Sequence, residues 1–321
     1  MTPDEFSKLL ARDEYLVLDI PPEEFQSLEK CIGVRSYTYR PSIEKLTIKM
    51  CTPMHAMVIC WAGELIAEGV AQQAFDRGDL TQISKERMTR FVGEYQDIIK
   101  SPDVALVPSG RYRPTIVFEF GYAEPYGQLK AETTLLLEGT QGSITKVVII
   151  KLDPLAAGET KIKKGFVEVW HLVDGKVKQE GRRKKLFPVP ESHAQQMLKF
   201  RLRDILRNKF FDLVNPGWGK SDTLDLHFDG LRKVIMEATV RHLINKGVLP
   251  VPQEEDEGDE NEGEGRGGDE SGGGGGGGGT GEGGAEEAEE SQEIQHLELP
   301  ILPVRLNTSS GETKPASMIT M

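Results

Sequence analysis

The stretch SPDVALVPSGRYRPTIVFEFGY, residues 101–122, has two runs of β-branched and aromatic residues separated by Pro, Ser and Gly. That is the pattern of two strands folded on a tight turn. With the turn centred near Gly110 and Arg111, residues facing each other across an antiparallel ladder have numbers summing to about 222. Asp103 then faces Glu119, Ala105 faces Val117 and Val107 faces Thr115. Facing residues point to the same side, so one face carries Asp103, Ala105, Val107, Thr115, Val117 and Glu119, and the other carries Val104, Leu106, Ile116, Phe118 and Phe120. The bulkier face predicts the main core. The two carboxylates are expected side by side on the lighter face, at the open end of the hairpin.

Opposed Cβ atoms lie about 4.5–5.5 Å apart, and like charges at that separation repel. In water the penalty is under about 1 kcal/mol, and it grows several-fold where a helix covers the face. Three arrangements relieve it: exposure, a cationic side chain, or a divalent metal. The last would make a hard oxygen site suited to Mg²⁺ or Mn²⁺, able to activate water and to neutralise charge on a phosphate. Asp103 reads equally as a turn residue after Ser101-Pro102, and Glu119 as a solvated charge at an edge.

Working outward, residues 2–30 suggest short helices around a brief strand, EYLVLDI. VRSYTYRPSIEKLTIKM suggests a hairpin about Pro41-Ser42. Thr52-Pro53 opens a helix that is apolar on most of its circumference up to Ile66 and therefore expected to be largely buried. RMTRFVGEY is strand-like. After the hairpin come a helix over EPYGQLKAETTLLLEG, an apolar strand SITKVVIIKL, and strands GFVEVWHLVD and KVKQEGRRKKLF joined by a turn at Asp174-Gly175. The region from Ser192 to Val248 reads as helices. The order predicts an α/β or α+β domain with a mixed sheet flanked by helices.

Composition separates the tail from the rest. Residues 251–300 contain 17 Asp/Glu against one Arg, whereas the whole chain has 51 acidic and 39 basic residues, which leaves 34 acidic and 38 basic outside that stretch. With almost no apolar surface, the acidic Gly-rich segment 251–293 is expected to be disordered. It would be followed by a tail, 294–321, carrying the apolar motif IQHLELPILPVRL, which is open to two readings, a docking strand and a frayed terminus. Residues 1–33 are expected as an N-terminal helical extension of a domain over 34–250. Cys31, Cys51 and Cys60 form neither a disulfide framework nor a zinc motif, MTPDEFSKLLARDEY mixes acids and bases without an apolar h-region, and no run of 18 apolar residues occurs. These features predict an intracellular protein, cytoplasmic or nuclear, with no membrane partner.

The Pro-Asp strand with Asp103, the following strand with Glu119, the helix beginning near TPMHAM, the helix GQLKAETTLLLEG and the strands KVVIIKL and FVEVWHL together resemble the PD-(D/E)XK, or restriction-endonuclease-like, superfamily. The layout is similar to that of bacterial proteins classed as restriction endonucleases and of a group of fungal proteins, over roughly residues 34–206. The resemblance implies a metal-dependent nuclease with Asp103 and Glu119 as Mg²⁺ or Mn²⁺ ligands. The superfamily's lysine would fall at Gly121, so the resemblance transfers its role to a basic residue of the next helix, Lys130, with Gln128 close by and Lys151 further off. His55, at the start of the preceding helix, matches a ligand or water-binding position, with Glu64 two to three turns on. Ala56 stands where some relatives have an acid. A catalytically inactive nuclease-fold module that binds nucleic acid or protein is the alternative.

The segment 151–209 holds 15 Lys/Arg against seven Asp/Glu, with clusters at 161–164, 182–185 and 201–209. It is expected either to track a phosphate backbone or to form a solvated face. GRRKK also resembles a nuclear localisation signal. The Gly run of the tail lacks a phosphate-loop motif, and no G-x-S-x-G elbow or metal-ligand spacing of histidines occurs.

Overall fold

The hairpin forms in the expected register: Val104 pairs with Phe118, Ala105 with Val117 and Leu106 with Ile116. The computed structural model describes residues 1–12, 14–33, 35–50 and 52–252, all within one compact unit, Met1–Glu255. The expectations for the acidic segment from residue 253 onward and for the tail 294–321 lie outside the described residues.

The chain begins with α1 (Pro3–Arg12), β1 (Tyr15–Asp19), α2 (Pro22–Ile32), β2 (Ser36–Arg40), β3 (Lys45–Lys49) and α3 (Pro53–Ala71). It continues through β4 (Leu80–Ile83), β5 (Ile99–Ser101), β6 (Val104–Pro108), β7 (Ile116–Gly121), α4 (Tyr126–Glu138) and β8 (Lys146–Leu152). The remainder is β9 (Gly165–Val173), β10 (Lys176–Phe187), β11 (Met197–Arg201), α5 (Leu202–Leu206), α6 (Phe210–Leu213), β12 (Thr223–His227) and α7 (Phe228–Asn245). Three sheets result, ordered β1-β3-β2-β5, β10-β9-β8-β7-β6-β4 and β11-β12. The fold is mixed α+β, with helices flanking the sheets. Only β7 and β8 pair in parallel among the described strands, and α4 makes the crossover that a parallel pair requires.

The two faces of the hairpin divide the core as their bulk predicts. Val104, Leu106, Ile116, Phe118 and Phe120 join α3, α5, α7 and the β11-β12 pair in the main cluster. Ala105 and Val117 instead pack with Leu135, Leu136 and Leu137 of α4. The β9-β10 turn has Asp174 at φ 51° and Gly175 at φ 70°, a conformation of two left-handed residues that matches the twist of its strands.

Four local expectations are corrected. RMTRFVGEY is not a strand: Met88 makes only an isolated bridge to Lys100, and positive φ at Arg90 and Gly93 breaks the extended run. Residues 192–248 are not all helical, because Leu198 pairs with Leu226 and Phe200 with Leu224 across β11 and β12, a period of two that a helical reading misses. Helix α3 is buried along one side only. Ala56, Cys60, Glu64 and Ala67 form a solvent stripe opposite Met54, Val58, Trp61 and Leu65, although its 19 residues have the length and apolarity of a membrane span. Finally, residues 1–33 do not stand apart as an extension. β1 pairs with β3 along its whole length, and Phe6, Leu10, Leu16, Phe25 and Leu28 share a core with Tyr39, Leu46 and Ile48.

Deleting residues 1–20 therefore uncovers Leu46 and Ile48, and is expected to lower the thermal midpoint by at least about 10 °C. A midpoint equal to that of the intact chain in a calorimetric scan would mean that the segment is dispensable.

Candidate active site

The four-stranded sheet has two unlike faces. Tyr37, Tyr39, Leu46 and Ile48 alternate onto the N-terminal core, so Ser36, Thr38, Thr47 and Lys49 point the other way. On many antiparallel sheets such a polar face meets water. Here Ser36, Thr38, Thr47, Lys49 and Lys100 are all buried. The register sets Lys49 beside Ser36 and Lys100 beside Thr38, and the lighter face of the hairpin, together with α4, covers them.

The contact is ionic. Lys49 Nζ lies 2.5 Å from Glu119 Oε2, 2.9 Å from Glu124 Oε2, 3.3 Å from Glu132 Oε2 and 3.4 Å from Asp103 Oδ2. Lys100 Nζ lies 2.7 Å from Glu132 Oε2 and 3.0 Å from Glu119 Oε1. Thr38 Oγ1 donates to Glu132 Oε1 at 2.9 Å, and the Phe120 backbone N–H donates to Asp103 Oδ2 at 2.8 Å. None of the six charged side chains is more than 4% exposed.

Four carboxylates against two ammonium groups would leave two uncompensated negative charges if all were ionised, in a region of low dielectric. Burial accordingly pushes Glu119 up to about 7 and Glu124 up to about 8, against the pull of both lysines. Asp103 and Glu132 also bear the burial penalty, but Lys49, His55 and Lys100 outweigh it at Asp103, and Lys100 and Lys49 outweigh it at Glu132. Both are held below the usual carboxylate range. Burial alone would lower Lys49, yet Asp103, Glu119 and the other acids raise it well above its ordinary value. Glu119 Oε1 and both Glu124 oxygens make no hydrogen bond, whereas the Ser36 hydroxyl helps to hold Asp103 ionised. Glu119 Oε1 and Glu124 Oε2 lie within ion-pair distance of an ammonium, but without hydrogen-bond alignment.

Asp103 and Glu119 are thus brought together, and of the three arrangements that relieve such a pair the structure shows the cationic partner. Lys130 does not join them. The inward stripe of α4 is Leu129, Glu132, Thr133 and Leu136, and Lys130 falls off it, exposed, with its ammonium 4.9 Å from the Trp170 ring centroid. Gln128 is the nearer neighbour, its Nε2 3.5 Å from Glu132 Oε1. Lys151 donates to the carbonyls of Tyr122 and Leu152 instead. His55 is buried edge-on to Phe120, with ring centroids 4.6 Å apart, and its Nδ1 accepts from the Thr52 backbone N–H in the capping box of α3. Burial lowers its pKa to about 4 against the opposing charge of Asp103, so at neutral pH it is an uncharged neighbour of the cluster. Glu64 lies on the exposed side of α3 against Gly230.

Lys49, Lys100, Glu124 and Glu132 were not foreseen. Glu132 had a signal, a carboxylate within an apolar helical stripe. Gly121, where the resemblance would put a lysine, is closed by packing: a Cβ there would stand 2.4 Å from Leu129 Cδ1 and 3.3 Å from Lys151 Cδ. The cations come from β3 and β5 instead.

The oxygen donors and their unsatisfied lone pairs fit a hard divalent cation such as Mg²⁺ or Mn²⁺. Among the described residues, however, no three His, Cys, Asp or Glu side chains are arranged around a common metal position, and the Lys49 ammonium lies between Asp103 and Glu119. No protein-family model and no curated protein matches the chain.

Removing one cation should be severe. Lys49→Met leaves buried carboxylates uncompensated and is expected to cost about 3–5 kcal/mol at pH 7 by denaturant titration, and a loss under about 1 kcal/mol would mean that the cluster is solvated. A second outcome follows from Glu124. A carboxyl whose pKa is higher in the fold binds more protons folded than unfolded, so its contribution to stability falls as pH rises from 4.5 to about 8. Glu124→Gln should therefore melt a few degrees above wild type at pH 8, with the gap closing near pH 4.5; equal gaps at both pH values would contradict the raised pKa.

Proposed function

We propose that this buried seam is the catalytic centre of a divalent-cation-dependent phosphodiester hydrolase of the restriction-endonuclease-like class, acting on nucleic acid. One observation supports the reading above others. Asp103 and Glu119, carried by the two arms of one hairpin, share the Lys49 ammonium at 3.4 and 2.5 Å, which assembles two acids and a lysine without a local E-x-K motif. A buried network of this size is a weak source of stability, because apolar residues would fill the same volume at lower desolvation cost. Strongly perturbed carboxyls in such a cluster favour a functional role.

In this reading Asp103 and Glu119 would be the residues to hold Mg²⁺ or Mn²⁺, which would supply charge neutralisation at the phosphate and a more acidic bound water. Lys49 and Lys100 take the part of the lysine missing at Gly121, donating hydrogen bonds to the attacking water or to a non-bridging phosphate oxygen. Glu132, fixed by Thr38, positions Lys100. His55 stays neutral in the same buried region.

A second reading, a non-catalytic module that keeps this architecture to bind nucleic acid or protein, is favoured by the same groups being at most 4% exposed. A scissile phosphate must reach them for chemistry to occur.

Melting the full-length chain with and without millimolar Mg²⁺ or Mn²⁺, beside Asp103→Asn/Glu119→Gln, separates the two. A metal at about 100 times its Kd adds about 2.7 kcal/mol, a shift of several degrees that the double variant should lack. Metal-dependent cleavage of a plasmid or a labelled oligonucleotide, lost in Lys49→Gln, completes the hydrolase case. A midpoint indifferent to both metals in the wild type would leave the binding module.

A further inference from the structure

The basic residues of 151–209 do not act alike. Arg183 is stacked 3.7 Å from the Phe166 centroid and paired with Glu168, and Lys163 is paired with Glu159. The short helix α5 is different. Leu202, Ile205 and Leu206 anchor it in the core, while Arg201, Arg203 and Arg207 remain exposed along a cleft of about 450 Å³ that also takes in Lys146 and His171. The acids of that cleft, Glu180 and Asp204, are both paired with Lys146, and Asp204 Oδ1 also lies 3.7 Å from Arg203 Nε. Among the described residues, Arg201 and Arg207 have no carboxylate partner.

Two further features distinguish this surface from an ordinary solvated face. Arg207 takes φ 53° and ψ −122°, a backbone conformation that costs a non-glycine residue about 1–3 kcal/mol and is concentrated at functional positions. Beside it the β6-β7 loop closes in. The Arg111 guanidinium donates to Asn208 Oδ1, and Lys209 packs against Gly110. Burial first, and then the charge of Arg207, lower the Arg111 pKa. The two segments also present planar apolar side chains to solvent: Tyr112 is 70% and Phe211 77% exposed. Lys220 Nζ lies 4.2 Å from the Phe211 ring centroid.

We infer that the α5 cleft, Phe211 and the second cleft that Tyr112 lines with Gly110 and Arg111 together form a binding surface for single-stranded nucleic acid, with Arg201, Arg203 and Arg207 on the phosphates and the two rings stacking on unpaired bases. Guanidinium forks match phosphate oxygens bidentately. Exposed aromatics interleaved with cations suit unpaired bases, whose faces are hidden in a duplex. An acidic peptide would satisfy the arginines and leave the rings without a partner. The surface is separate from the carboxylate cluster. Lys146 begins β8 opposite Ile116, whereas Glu119 pairs with Ile149 further along the same ladder, about 10 Å away. The side chains of Lys146 and Glu119 also point to opposite faces of the sheet. The inference therefore stands or falls independently of the hydrolase reading.

Fluorescence anisotropy on the full-length chain tests it, in chelator-containing buffer so that nothing is cleaved. The probes are labelled single strands about 20 nucleotides long, which exceeds a typical site of this kind, a duplex of the same sequence, and polyglutamate as the acidic-peptide probe. Arg203→Ala/Arg207→Ala should weaken single-strand binding at least about ten-fold and reduce the slope of log affinity against log salt by about 1.4. Tyr112→Ala/Phe211→Ala should weaken it about ten-fold with the slope unchanged. Lys161→Ala/Lys163→Ala should bind as wild type. The inference is overturned if that control loses as much as the arginine pair, if neither cleft variant loses affinity, or if duplex or polyglutamate binds as well as the single strand.

Discussion

The ammonium of Lys49 is the point on which the arrangement of the two larger sheets depends. One face of the N-terminal sheet is polar, and one arm of the central hairpin ends in Asp103 while the other carries Glu119. Packed together without a cation, those surfaces would bury like charges against one another. With Lys49 Nζ between four carboxylate oxygens, and Lys100 bridging Glu119 and Glu132, the contact becomes attractive. Residues 1–49 are then an integral part of the domain, not an appendage. The apolar cores on either side supply most of the burial, and the ionic seam decides which faces meet.

The seam is not balanced. Its acceptor capacity exceeds what two lysines satisfy, which leaves hydrogen-bond acceptors without donors, while burial raises the carboxyl pKa values of Glu119 and Glu124. A cluster selected for stability alone would be neutral and fully bonded, since an unsatisfied buried polar atom is expensive.

The parallel pairing of β7 and β8 governs where the lysines come from. It forces a crossover helix, and α4 lies directly over Gly121, with Leu129 occupying the space a side chain there would need. The same helix contributes Glu132 from within its apolar stripe. Closing one position and supplying another are thus two results of a single packing event.

Local periodicity was enough to read much of this from the sequence. Alternation in 101–122 set the hairpin register, the division between a heavy and a light face, and the meeting of Asp103 with Glu119. The apolar run EYLVLDI marked β1, and Pro, Gly and capping residues marked the β2-β3 hairpin, α3 and the β9-β10 turn, because those signals act within a few residues. Where two periods competed, as in MLKFR and TLDLH, the neighbouring helical pattern misled. The partners of the hairpin acids lay beyond any such reading. Lys49 is 54 residues from Asp103 and 70 from Glu119, and nothing in KLTIK says whether its polar face will meet water or a second sheet. That choice, together with the outward placement of Lys130 and the inward placement of Glu132, was decided only when α4 and the N-terminal sheet closed over the hairpin, since burial and the pairing of charges are properties of surfaces that the chain brings together from a distance.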